Sequence, residues 1–187
     1  MDLKMKKNIK LLATFVVATI ISSQAAAADG TVKFNGTITD ASCQTHIGSV
    51  TGGSNETVNL GTVPSSSFSG VGSTAAEGAG STNVKIYLTE CPAGTPTTAS
   101  LKFDGAYYKG DNSYLALDPA STASGVAILL SNPSGTALKL GEASEPFTLN
   151  VGTGSSTELN FKAAYIQRES TIVAGTANSS ATFTINY

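Results

Sequence analysis

The chain has 187 residues, 41% hydrophobic and 13% charged, with 19 Gly, two Cys, one His and no Trp. Ser and Thr make up about a quarter of it, well above ordinary usage. The low charge excludes a solvated disordered chain and a Lys/Arg-rich nucleic-acid binder, and one histidine with two cysteines leaves little material for a zinc or haem site.

At the start, Lys4, Lys6, Lys7 and Lys10 form a basic head before an apolar run at 11–21. Small residues follow, ending in Ala25, Ala26, Ala27 and Ala28 ahead of Asp29. This is the pattern of a secretory signal peptide, and the run is short of the roughly 20 apolar residues a bilayer span needs. Residues 1–27 are therefore expected to be removed, with cleavage within 25–28. Losing those four lysines and Asp2 takes eleven basic and thirteen acidic residues to seven and twelve, a net charge of −5. An acidic exported chain is repelled by nucleic acid and anionic lipid, so neither nucleic-acid binding nor stable membrane insertion is expected. Export also places Cys43 and Cys91 in an oxidising compartment, where two cysteines allow one pairing. Such a bridge stabilises by roughly 2–4 kcal/mol.

After the leader, alternation of period two replaces any helical period. Val32, Phe34, Gly36 and Ile38 alternate with Lys33, Asn35, Thr37 and Thr39. A short strand is expected at 57–60, and the Gly/Ser/Ala-rich stretch 69–81 reads as a mobile loop. Val84, Ile86 and Leu88 alternate with polar neighbours up to Cys91-Pro92. Shorter strands are expected at 100–103, 114–117, 126–130, 137–140 and 147–151. Between two of these lies Asn132-Pro133-Ser134-Gly135, the residue order of a type I turn joining a hairpin. Leu159, Phe161, Ala163 and Tyr165 alternate next, and Ala181, Phe183, Ile185 and Tyr187 last. Many short strands with regular turns and no internal repeat indicate a one-domain, all-β sandwich.

Catalytic chemistry finds little support. His46 is the single histidine available to a Ser-His-Asp arrangement, and a polar His near a strand end is ordinarily just solvated. Glu142 with Glu145, or Asp111 with Asp118, could pair as in a glycosidase, yet all sit in turn-like segments. Tyr107 and Tyr108 could stack on a sugar, although one of two neighbouring strand residues normally faces the core. The sequons at Asn35, Asn55 and Asn178 are frequent chance matches in a Ser/Thr-rich chain. No enzyme and no cofactor is expected. Above that background stand the two chain ends, both strongly strand-patterned where termini are usually frayed. A strand with an apolar face needs a partner, in its own domain or elsewhere.

These ends carry a resemblance. Gly30-Thr31-Val32-Lys33-Phe34-Asn35-Gly36-Thr37-Ile38, Asp40-Ala41-Ser42-Cys43, Asn59-Leu60-Gly61, Leu88-Thr89-Glu90-Cys91-Pro92 and the closing stretch 173–187 occur in consistent order. The chain resembles the pilin subunits of chaperone–usher fimbriae, nearest to the major subunits of type 1 fimbriae. The resemblance implies an incomplete immunoglobulin-like sandwich that lacks its last strand, completed by the N-terminal extension of another subunit. Residues 28–40 would be that extension and 41–187 the pilin domain. Val32, Phe34, Gly36 and Ile38 would form the donated face, with Gly36 where the groove excludes a side chain. Phe183, Ile185 and Tyr187 would lie on the groove's edge strand, which also binds the chaperone, with Gly175 ahead of it. Tyr187 departs from the family pattern, in which one residue follows the tyrosine. The implied partners are other copies and related pilins, a periplasmic pilus chaperone and an outer-membrane usher. The implied location is an extracellular fimbrium reached through the periplasm. Burying Val32, Phe34 and Ile38 would contribute about 5–9 kcal/mol at most. Rival readings are a minor adaptor or terminator pilin, and a self-complete secreted sugar-binding sandwich using Tyr107 and Tyr108.

Overall fold

The computed structural model describes residues 42–75 and 80–187. The expected leader and the alternating segment with Val32, Phe34, Gly36 and Ile38 lie outside the described residues. In chain order the strands are β1 (Gln44–Ile47), β2 (Ser81–Thr89), β3 (Thr98–Gly105), β4 (Tyr107–Tyr108) and β5 (Asp111–Leu115). They continue with β6 (Val126–Ser131), β7 (Phe147–Thr148), β8 (Ser156–Gln167) and β9 (Ala181–Asn186). A single 3₁₀ turn, Ser65–Ser67, is the one helical element among the described residues.

The strands form two antiparallel sheets, one in the order β1-β2-β8-β6-β5-β4 and the other β7-β3-β9. Alternation decides their inner faces. Ile86 and Leu88 of β2, Leu159, Phe161 and Ala163 of β8, and Ile128 and Leu130 of β6 point inward from the larger sheet. Leu101 and Phe103 of β3 meet them from the smaller one. Across the interface the rings of Phe103 and Phe161 pack edge to face, with centroids 5.1 Å apart. On the outer face of β3, Lys102 and Asp104 pair at 3.1 Å beside Thr182 and Thr184 of β9. The chain passes from one sheet to the other at Gly105. A Cβ there would run into Leu115 and lie 3.0 Å from the Ser180 carbonyl oxygen, so only glycine lets the strands approach.

β2, β8 and β9 occupy the three described segments with the clearest alternation. The turn at 132–135 also forms, with the Gly135 N–H donating to the Asn132 carbonyl at 2.8 Å. Glu145 accepts from the Thr136 and Ser134 hydroxyls, and these bonds hold its carboxyl below the usual range.

Four expectations are corrected. Residues 57–60 form no strand; the Leu60 carbonyl instead accepts from Gly80 N–H. Residues 137–140 contribute one bridge, Ser131 to Ala137, rather than a strand. Their Leu138 N–H also donates to the Leu130 carbonyl, closing a short hairpin at the end of β6, while β5 takes the same edge at Ile128. Leu140 therefore donates to Asn112 and not to β6. The strand at 147–151 shrinks to two residues, because the Asn150 N–H turns to the Thr157 hydroxyl. In the stretch read as a mobile loop, Gly72 and Ala75 donate to the Gln167 and Tyr165 carbonyls at 2.8 Å, and Ser81 opens β2. Residues 72–75 and 80–81 of it are engaged with β8.

Candidate functional site: a cleft between two strand edges

β9 pairs with β3 through Leu101↔Ile185 and Phe103↔Phe183, and its other edge has no strand partner among the described residues. Phe183 and Ile185 face inward and pack against the core, yet each is only half-buried. Thr182 and Thr184 face out. Phe183 also meets Phe103, at 6.0 Å between centroids. A central strand would bury both faces and both edges, whereas β9 has a ladder along one edge among the described residues.

β1 ends the larger sheet. Its register with β2, Thr45↔Leu88 and Ile47↔Ile86, places Thr45 and Ile47 on the core-facing side. No ladder joins β1 to β9, although the two edges meet at one point, where the Cys43 N–H donates to the Tyr187 hydroxyl at 3.1 Å. At the opposite end of β1 an open depression of about 410 Å³ is bordered by Ile47, Gly52, Glu56, Thr82 and Lys85. The cleft is thus apolar inside, with hydrogen-bonding backbone along its β9 rim. It is suited to a strand and poorly suited to a small polar molecule.

Cys43 and Cys91 form a disulfide with Cα atoms 4.1 Å apart. Simple alternation would point Cys91 outward, since Leu88 points in. Glu90 reverses this by adopting φ 50, a left-handed turn that sends Cys91 to complete burial. The bridge fastens the four-residue β1, which has a ladder along one edge among the described residues, to the end of β2. Replacing both cysteines by alanine is expected to cost about 2–5 kcal/mol, measured as the shift in a urea unfolding midpoint. An unshifted midpoint would show that β1 needs no staple.

Gly175 lies outside β9, ahead of it. A Cβ there would strike the Thr122 hydroxyl and come within 2.7 Å of Ala123 N, so glycine serves a close chain crossing. Beside it Thr122 and Asp118 donate backbone N–H groups to the Thr176 and Asn178 carbonyls. The Tyr165 hydroxyl, whose pKa burial raises, donates to the Ala177 carbonyl. These contacts aim the chain into β9.

The other candidates sit apart from the cleft. His46 lies on the outer face of β1, with Nδ1 2.7 Å from the Gly52 carbonyl and Nε2 3.1 Å from the Thr89 hydroxyl. Neither member of the tyrosine pair enters the core: Tyr107 is exposed, and the Tyr108 hydroxyl donates to Glu169 at 2.8 Å. Glu169 also takes Lys109, and those two hydrogen bonds lower its pKa. Asp111 caps the Ser113 N–H and Glu142 faces Lys139. Sequence reasoning missed Thr45 and Ile47, because β1 is too short and polar to alternate clearly, and it missed the reach of the Tyr187 hydroxyl.

Comparison with known proteins agrees with this architecture. The family profile described as "Fimbrial protein" matches residues 32–187. The type-1 fimbrial protein subunit of Serratia marcescens is 33% identical, over 98% of this chain and 99% of that one. The A chain of the type-1 fimbrial protein of Escherichia coli K12 is also 33% identical, over 96% and 99%. Among solved structures, an antigen and type I fimbria protein of Burkholderia pseudomallei aligns with a TM-score of 0.57 at 29% identity, covering 80% of this chain and 91% of its own. The P pilus rod subunit PapA aligns at 0.60 and 16% identity, over 79% and 99%, which shows a shared fold. The pilin-type immunoglobulin-like sandwich is the fold here, and these relatives are structural subunits, not enzymes. A complete match from Val32 to Tyr187, with near full-length relatives of the same kind, makes the chain a member of the fimbrial protein family.

Proposed function

We propose that this chain is a structural subunit of an adhesive chaperone–usher fimbria and polymerises head to tail by donor-strand exchange. The observation that carries the reading is β9: an edge strand with Phe183 and Ile185 half-covered on its inner side and no partner on its outer edge among the described residues. Residues 28–40 of another copy supply the missing strand, with Val32, Phe34 and Ile38 entering the cleft and Gly36 at its shallow point. Strand addition of this kind takes affinity from main-chain hydrogen bonds and specificity from pockets for alternate side chains.

Because the donor belongs to one copy and the acceptor to the next, the contact is heterologous and does not close, so it grows an open fibre. Escape of the donor resembles unfolding of its host, which makes the fibre durable through slow dissociation. Before assembly the same β9 edge is covered by a periplasmic chaperone and passed to an outer-membrane usher, and the finished fimbrium is extracellular. Residues 1–27 act as the export signal. The chain is a major-type subunit in this reading.

The test is direct. Purified fibres run without heating in SDS are expected to give a ladder of multimers that collapses to one band on boiling. A single monomer band before boiling would overturn donor exchange.

A further inference from the structure

Resting on that reading, we propose that Tyr187 is a positioning residue: its hydroxyl clasps the start of β1 and closes one end of the strand-accepting cleft. Tyr187 follows Phe183 and Ile185 in the alternation that faces β9 inward. Tyr187 is 42% exposed, so core packing does not explain its placement. The hydroxyl instead spans to the opposite sheet and accepts the Cys43 N–H at 3.1 Å. Cys43 is 8% exposed, and a backbone donor that buried requires a partner. The receiving point is also rigid, because Cys43 is bonded to the fully buried Cys91.

The cleft is therefore asymmetric. The Cys43 end is barred by a side chain that joins the two edges, and no strand ladder joins β1 to β9 beyond it among the described residues. A strand laid along β9 must stop at the bar. Slipping by one residue would turn every inward side chain outward, so a fixed stop selects which donor residues reach the core. Tyr187 thus acts on the donor through the spacing and length of the cleft.

The experiment uses fibres of the full chain carrying Tyr187→Phe, which keeps the ring, and Tyr187→Leu, which removes it. Amide exchange is followed by mass spectrometry alongside the half-life of the SDS-resistant ladder at one temperature. Both variants are expected to speed exchange at Cys43 about tenfold, with β3–β9 amides unchanged, and to shorten the ladder half-life about fivefold. Unchanged Cys43 exchange in Tyr187→Phe overturns the clasp, as does an effect seen in Tyr187→Leu alone, which marks ring packing. Faster Cys43 exchange with an unaltered half-life overturns the positioning role. If neither variant assembles, Cys43 exchange in the unassembled chains decides on the same terms. Failure of donor exchange itself shows separately, as wild-type material without a ladder.

Discussion

A subunit lacking residues 29–39 is expected to build no fibre on its own. The deletion removes the alternating face of Val32, Phe34 and Ile38, and with it up to about 5–9 kcal/mol of apolar burial in a neighbour. It leaves β1 to β9, the disulfide and the whole described core in place. The truncated chain therefore still folds as an acceptor and should cap a wild-type donor. Electron microscopy and unheated SDS gels read the outcome. Fibres of normal length from the truncated chain alone would remove donor exchange from consideration.

Ile185→Asp produces the complementary defect. Ile185 lies opposite Leu101 on the inner side of β9 and is only half-buried, so the carboxylate keeps some water while the cleft is empty. An inserted strand would strip that water away and leave a buried charge with no partner. Breaking a buried pair, a comparable loss, costs about 3–5 kcal/mol, which weakens acceptance on the order of a thousandfold. The variant keeps its own N-terminal segment and still donates. Mixed into wild type it shortens fibres in proportion to its share. Mixed only with the truncated chain it gives two-subunit complexes and nothing longer, visible by size exclusion. Normal elongation of Ile185→Asp chains would show that β9 does not line the accepting cleft.

Much of the fold was legible because period-two alternation reports a one-sided strand, and β2, β8 and β9 are one-sided over most of their lengths. Val84-Lys85-Ile86-Tyr87-Leu88 states its inner face in the order of its letters. The cysteine pairing was legible for a different reason, since two cysteines permit one bridge. What the letters withheld was competition between partners. Residues 137–140 have strand composition, yet their pairing with β6 ends at Leu138, and Leu140 turns to Asn112 of β5 instead. Segment 57–60 likewise alternates but serves as an acceptor for Gly80. Local geometry was equally hidden. Nothing in the letter E marks Glu90 as left-handed, and that turn alone brings Cys91 inside. The Tyr187 clasp joins positions 144 apart, beyond any local pattern.

The twelve-residue β8 also sets a schedule for the molecule. It is the strand between β2 and β6, and it pairs with β2 from Ser81↔Ala164 to Thr89↔Ser156, with β3 to β7 intervening in the chain. Pairings so distant along the chain carry a large loop-closure cost, and sheets built from them fold on the order of milliseconds to seconds. Until β8 arrives, one edge of β2 has only bare backbone and Val84, Ile86 and Leu88 lack their neighbours Phe161, Leu159 and Thr157, so a nascent or freshly exported chain leaves them partly open to water and to one another. The interval of greatest aggregation risk is therefore fixed by chain connectivity, before any question of fibre growth arises.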